Sequence, residues 1–161
     1  GVKFAKAVGA EVTLFTRSPH KEEEARRLSA DHVVLSTDEQ QMVAVANRFD
    51  FILDTAPNAH DLNPYIATLA WNGTLILLGL LGRIDPPLNN VPLMLGRRSV
   101  ASSNVGGIAE TQEMLDFCAA NDISCDIELI NMQDINAAYE RMLKGDVHYR
   151  FVIDIDSLRE K

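Results

Sequence analysis

The sequence predicts an α/β fold, in which a parallel sheet is covered by helices on both faces. Short, continuous apolar runs recur along the first half of the chain and alternate with segments of helical spacing. Two of these runs stop abruptly, at Asp54 and at Gly79, as buried strands do before a loop. The chain has 161 residues, of which 47% are hydrophobic, enough for a domain with its own core.

The elements follow from periodicity and from start and stop residues. Gly9 ends a first helix, Pro19 and three following glutamates open a second, and Asp38 begins a capping-box-like start of a third. The predicted order is helix 1–8, strand 12–15, a helix from Pro19, strand 33–35, helix 38–47, strand 51–53, helix 62–69 and strand 74–78. This alternation favours a Rossmann-like, doubly wound parallel sheet.

The pattern changes after a proline-containing loop that follows Gly82. A helical turn at 93–96 and a strand at 99–103 complete the first part, and Gly106-Gly107 marks a boundary near residues 104–107. The remainder predicts strand 126–130 between amphipathic helices 110–121 and 134–144, and a closing strand at 150–155. We therefore expect two parts, 1–104 and 105–161.

A cluster of hydroxyl and basic side chains ends the strand at 12–15. Thr16, Arg17, Ser18 and Lys21 stand where a dinucleotide-binding domain meets the adenosine ribose. An acid at this place accepts from a ribose 2′-OH, whereas arginine and its neighbours accommodate a 2′-phosphate. The cluster therefore predicts NADP rather than NAD, the alternative being that Arg17 and Lys21 are only solvated.

Residues beyond other strand ends are further candidates, because ligands bind outside the carboxyl ends of parallel strands. Thr55, Ala56 and Pro57 follow one strand and are expected near the nicotinamide-side ribose. Gly79 and Leu80 follow the next, where Gly79 could instead be a plain turn glycine, and Ser103 and Asn104 are candidates for carboxamide contact. Asp54 ends an apolar strand and could be taken for a catalytic acid.

Composition excludes several classes of function. The net charge of −8 disfavours nonspecific binding to nucleic acid or to an anionic membrane. Cys118 and Cys125 are too far apart for a Cys-x-x-Cys motif, which favours two buried thiols in a cytosolic protein. The four histidines have no metal-ligand spacing and are expected on the surface: His20, His32, His60 and His148.

Several runs of the sequence resemble the C-terminal part of the zinc-dependent, medium-chain alcohol dehydrogenases. The similarity is greatest to the cinnamyl-alcohol-dehydrogenase branch with its bacterial broad-range aldehyde reductases. The matching runs are 51–55, 73–79, 93–97, 107–118 and 135–154. The resemblance implies that residues 1–104 are an NADP-binding Rossmann domain and that 105–161 return to a GroES-like catalytic domain.

The resemblance also implies what the chain does not contain. The first strand, the glycine-rich pyrophosphate loop and the zinc ligands of the family precede the position of Gly1, so we expect a fragment that is inactive by itself. Because the absent strand is central in the family's sheet, a gap is expected beside it, filled by a rearranged element or by upstream residues. Arg150 matches a family arginine on the pyrophosphate, or is simply a surface arginine. The resemblance implies no proton-transfer role for Asp54, so a turn or capping bond is expected there.

The intact parent is therefore expected to transfer hydride between NADPH and an aldehyde, with zinc polarising the carbonyl oxygen. The resemblance implies an aldehyde or alcohol substrate and a homodimer with residues 99–104 at its edge. Two alternatives stay open: a non-catalytic nucleotide-binding module, and a zinc-independent enzyme of the quinone-reductase type.

Overall fold

The computed structural model describes residues 1–159 and confirms the α/β class with parallel strands. The strands are β1 Thr13–Thr16, β2 His32–Leu35, β3 Phe49–Asp54, β4 Leu69–Leu77, β5 Ser99–Ser102, β6 Glu128–Asn131 and β7 Phe151–Asp154. The helices are α1 Val2–Ala7, α2 Glu22–Arg27, α3 Glu39–Ala44, α4 Asn63–Thr68, α5 Asn90–Gly96, α6 Ile108–Ala120 and α7 Ile135–Leu143. Short 3₁₀ turns occupy Pro19–Lys21, Met132–Asp134 and Ile155–Arg159.

The strands form three separate parallel sheets rather than one continuous sheet. β1 pairs with β2, β4 lies between β3 and β5, and β6 pairs with β7. No backbone ladder joins β1 or β2 to β3 among the described strands, so the first unit is split between β1 and β3. None of the described strands pairs with the free side of β1 or of β3, so the first of the two expected fillings, a rearranged element, is not found there, and filling by upstream residues stays a prediction.

The main core lies where α4 and α5 pack against the three-stranded sheet. Its centre consists of five buried side chains from α4 and its flanks and from β3 and β4: Ile52, Leu62, Ile66, Leu69 and Leu75. Complete burial of such an aliphatic side chain contributes about 1.5–3 kcal/mol. This cluster therefore holds β3 and β4 against α4.

Aromatic packing joins the two-stranded sheet to the three-stranded sheet. The Phe15 ring of β1 meets the rings of Phe49 and Tyr65 edge to face, each with 5.3 Å between centroids. The Glu11 carboxylate adds a polar contact, 3.0 Å from the Arg48 guanidinium. These three rings also border both buried clusters, so the first unit of the chain holds together through side chains at this place.

One expectation about β3 needs correction. Its apolar run predicted a strand covered on both faces, but only Ile52 is buried, while Phe51 and Leu53 are 69% and 49% exposed. Because successive side chains point to opposite faces, one face of β3 meets the core and the other is open. A run of apolar residues alone does not reveal this difference.

The chain divides into two compact units, residues 1–112 and the part from Glu113 onward. In the second unit, β6 and β7 pair in parallel and α7 contacts β6. Among its described residues only Ala138 and Ser157 are buried. Hydrophobic side chains of α7 are correspondingly exposed, including Tyr139 and Leu143. None of the described helices is long and apolar enough to traverse a membrane.

Candidate functional site

The turn that follows β1 holds the predicted hydroxyl and basic cluster together. The Thr16 hydroxyl accepts from the Ser18 amide at 3.1 Å, and the Lys21 amide donates to the Ser18 carbonyl at 3.2 Å. Arg17 and Lys21 are exposed, and within residues 1–159 neither side chain has an ion-pair partner. Two cations beside hydroxyl groups suit a phosphate, which Arg can bind through two parallel hydrogen bonds.

Ser36 belongs to the same place and was not predicted. Its amide donates to the Thr16 carbonyl at 2.8 Å, and its hydroxyl does so at 3.3 Å. Ser36 immediately follows β2, the parallel neighbour of β1, so the two strands end side by side. The rule that parallel strands present ligand groups at their carboxyl ends was the signal that could have identified it.

The ends of β3 and β4 form the second part of the candidate site. The Asp54 carbonyl accepts from the amides of Leu78 and Gly79 at 2.8 and 3.1 Å. A Cβ on Gly79 would lie 1.9 Å from the carbonyl oxygen of Ala56, so only glycine fits. Glycine is therefore needed at position 79 because the ends of β3 and β4 approach each other closely there. Thr55 and Leu80 are exposed beside it.

Asp54 makes the predicted turn bond, its Oδ1 accepting from the Ala56 amide at 3.0 Å. Its other oxygen, Oδ2, lies 3.2 Å from His60 Nε2, close enough for an ion pair but not aligned as a hydrogen bond. The Asp54 side chain is only 10% exposed and that of His60 26%. His60 is therefore at the surface as expected but half-buried, because the loop folds back onto the strand end.

The remaining candidates are divided between the two units. The Ser103 amide donates to the Leu77 carbonyl at 3.2 Å, which places Ser103 and the exposed Asn104 directly beyond β5 beside β4. Arg150 belongs to the second unit, where its carbonyl accepts from the Glu128 amide at 3.0 Å. Its suggested contact with the pyrophosphate stays a prediction.

The side chains present fit a phosphorylated nucleotide but not a metal ion. Among residues 1–159 no group of three or more His, Cys, Asp or Glu side chains is arranged to hold a metal. Cys118 and Cys125 are both free thiols, and Cys125 is exposed, which corrects the expectation that both are buried. The donor set of Arg17, Lys21 and nearby hydroxyls, in contrast, has the charge that a 2′-phosphate requires.

Comparison with known proteins agrees with this chemistry. The family model described as zinc-binding dehydrogenase matches residues 1–120. A probable cinnamyl alcohol dehydrogenase of Pinus taeda is 49% identical over 158 residues, which are 96% of this chain and 43% of the relative. Aldehyde reductase YahK of Escherichia coli (strain K12) is 47% identical over 160 residues, 99% of this chain and 46% of that protein.

Solved structures show the same relationship. A cinnamyl alcohol dehydrogenase from Sorghum bicolor superimposes with a TM-score of 0.88 at 40% identity, covering 95% of this chain and 43% of that one. The CAD from Helicobacter pylori, solved in complex with NADP(H), gives a TM-score of 0.81 at 38% identity over 96% of this chain and 44% of its own. The chain thus spans less than half of the relatives that it matches. The resemblance inferred from the sequence motifs is confirmed, and the chain belongs to the zinc-binding dehydrogenase family.

Proposed function

We propose that this chain supplies the NADP(H)-binding part of an alcohol dehydrogenase that interconverts an aldehyde and an alcohol. The observation that carries the proposal is the pair of exposed cations, Arg17 and Lys21, at the carboxyl end of a parallel strand. Support comes from relatives named as cinnamyl alcohol dehydrogenases and as an aldehyde reductase. One similar structure is described as complexed with NADP(H).

At the adenosine end, the proposed role of the chain is to bind and discriminate. Arg17 and Lys21 would pair with the 2′-phosphate, while Thr16 and Ser18 shape the turn that presents them. A nucleotide without that phosphate leaves both cations solvated and gains no ion pair. Selectivity for NADP(H) over NAD(H) follows from this difference.

At the other end, the loops after β3, β4 and β5 would orient the nicotinamide half. Thr55 and Ala56 would face the ribose, and Gly79 and Leu80 would supply backbone groups to the ring. Ser103 and Asn104 would contact the carboxamide. When bound, the cofactor supplies the hydride, and activation of the aldehyde oxygen is not assigned to this chain, since its described residues offer no zinc site.

The rest of the proposal concerns the second part of the chain and the assembly. Residues 1–104 would form the cofactor-binding domain and 105–161 would belong to the catalytic domain, with Arg150 contacting the pyrophosphate. β5 would provide the edge of a homodimer, in a cytoplasmic enzyme.

The test is a titration of the purified protein with NADPH and with NADH, followed by nucleotide fluorescence. Arg17→Ala and Lys21→Ala are each expected to weaken NADPH binding about tenfold, because a lost charged hydrogen bond costs about 1.5–3 kcal/mol. The affinity for NADH should change less than about twofold, the range of exposed, unpaired charges. The matched control is Arg26→Ala, which removes a nearby guanidinium that is already paired with Glu22 at 2.9 Å.

Equal binding of the two nucleotides by the parent protein would disprove the NADP assignment. Selective NADPH binding without aldehyde reduction is expected of this chain by itself and would equally suit the non-catalytic module, so the aldehyde assay is made on the full-length parent protein, where the absence of reduction would support the module. Reduction of a quinone rather than an aldehyde would support the zinc-independent enzyme.

A further inference from the structure

The loop between β3 and α4 closes on itself through one histidine. His60 Nδ1 lies 2.9 Å from the Asn58 carbonyl oxygen, and His60 Nε2 lies 3.2 Å from Asp54 Oδ2. The other Asp54 oxygen holds the Ala56 amide at 3.0 Å. Asp54 and His60 therefore bracket the segment 55–59, which contains two of the residues proposed to face the cofactor.

The two contacts of His60 are both made to acceptor oxygens, an arrangement that the imidazolium form satisfies best. A backbone carbonyl oxygen and a carboxylate oxygen only accept hydrogen bonds. A neutral imidazole carries one proton and one lone pair, so one of its nitrogens would oppose an acceptor. The imidazolium carries a proton on both nitrogens, and its charge also complements the Asp54 carboxylate, which is nine-tenths buried.

Among residues 1–159, the neighbours of His60 on its own loop and on α4 offer no uncommitted carboxylate as an alternative partner for its charge. The Tyr65 ring packs edge to face on the imidazole, with 5.7 Å between centroids. The Asp61 carboxylate accepts from the Asn63 amide at 2.9 Å and from its side-chain nitrogen at 2.8 Å. Asp54 is thus the carboxylate that faces the imidazole, and its Oδ2 accepts no hydrogen bond from the described residues.

We propose that His60 is a positioning residue, whose imidazolium form holds the loop 55–59 in the shape that receives the nicotinamide half of the cofactor. Binding of the cofactor is then coupled to uptake of a proton by His60. This inference rests on the proposed function, because it needs the cofactor to contact Thr55 and Ala56. His60 does not itself contact the cofactor in this proposal; it controls the shape of the loop residues that do.

The first test is the pH dependence of NADPH affinity, measured on the parent protein and on His60→Gln. The ligand's own phosphate titrates equally with both proteins, so the ratio of their Kd values isolates His60. Histidine side chains exchange their proton between about pH 5 and 8. From the acidic to the alkaline end of that range, parent affinity should fall about fivefold or more relative to the variant, the size of a typical coupling between sites.

The matched control is His32→Gln, which disrupts another histidine–carboxylate contact, 2.7 Å from His32 Nε2 to Glu11 Oε1, at the start of β2. The Kd of His32→Gln relative to the parent should stay constant with pH.

The Asp54→Asn variant tests the other partner of the contact. Its amide can donate to a neutral imidazole while its oxygen still accepts from Ala56, so its affinity should no longer fall at alkaline pH. A constant ratio between the parent and His60→Gln would overturn the inference.

A second measurement separates this inference from the proposed function. In the nucleotide-free protein, NMR follows the ¹⁵N shifts of the His60 ring and the amide shift of Ala56, which reports the Asp54 contact directly. The amide shift should follow the same titration as the imidazole in the parent and should lose it in His60→Gln. If these shifts are coupled but NADPH does not bind, only the proposed function fails. If the amide shift of Ala56 does not change as His60 is protonated, the inference fails whether or not the protein binds NADPH.

Discussion

Gly79 shows how one residue type can determine the distance between two strand ends. A Cβ there would lie 1.9 Å from the Ala56 carbonyl oxygen, a backbone atom that cannot rotate away. We predict that Gly79→Ala separates the ends of β3 and β4, which lowers the free energy of unfolding by about 1–3 kcal/mol and weakens NADPH binding. Urea unfolding and nucleotide titration measure the two effects. Gly107→Ala is the control, because its Cβ would meet its nearest neighbour at 3.8 Å; equal effects of the two variants would refute the steric argument.

The Asp31 carboxylate is expected to make the stability of the fold depend on pH. Hydrogen bonds from Lys6 at 2.9 Å and from the Val12 amide at 2.7 Å lower the pKa of its carboxyl. A group whose pKa is lower in the folded state stabilises the fold above its unfolded pKa, and this contribution disappears as the pH falls through the folded pKa. Asp31→Asn should therefore lower the Tm at neutral pH, and its difference from the parent should shrink in acid. In the exposed Glu22–Arg26 pair, Glu22→Gln should change the Tm little at any pH.

Among individual residues, sequence reasoning identified those whose position depends on a strand end. Thr16, Arg17 and Ser18 share one turn as predicted, and Asp54 makes the predicted turn bond. His60 was not recognised, because its contact with Asp54 depends on how an irregular loop folds back, which has no periodic signal in the sequence. Contacts of the candidate residues with a cofactor remain predictions.

At the scale of elements, α4 is the helix on which the core depends. Leu62, which precedes it, and Ile66 within it have no exposed surface. We predict that Ile66→Ala lowers the free energy of unfolding by about 2–5 kcal/mol, the cost of a buried cavity. Val43→Ala on α3 shortens a side chain that is 67% exposed, and it should change stability by less than about 0.5 kcal/mol. Urea unfolding of both variants distinguishes burial from a general loss of apolar surface; similar destabilisation by both would contradict the assigned core.

Element types were predictable, whereas their bounds and their covering were less so. Hydrophobic periodicity and helix start signals correctly predicted the strands and helices, including the Asp38 cap, which accepts from the amides of Gln40 and Gln41. β4 begins earlier than predicted, at Leu69, because that residue pairs with Phe49 ahead of the main register. The exposure of Phe51 could not be predicted, since a continuous apolar run does not state how many faces of a sheet are covered.

At the scale of the whole molecule, buried surface is concentrated in the first unit. Both clusters of buried hydrophobic residues lie within residues 1–112, whereas the described part of the second unit buries only Ala138 and Ser157. Because local opening is easiest where few apolar contacts are lost, we predict faster amide hydrogen exchange in β6 and β7 than in β3 and β4, by at least about tenfold. Mass spectrometry of peptides from the two sheets measures this difference. Equal protection would show that the second unit is stabilised by something other than its own core.

The split between β1 and β3 also has a mechanical consequence. A ladder of backbone hydrogen bonds fixes neighbouring strands in register, and a slip of one residue would turn every side chain to the other face. The Phe15, Phe49 and Tyr65 rings impose no such register, because edge-to-face packing is favourable over a range of centroid distances, about 4.5–7 Å. Within residues 1–112, the turn after β1 and the loops after β3 and β4 are therefore coupled through side-chain packing, which fixes their distance less strictly than a backbone ladder would.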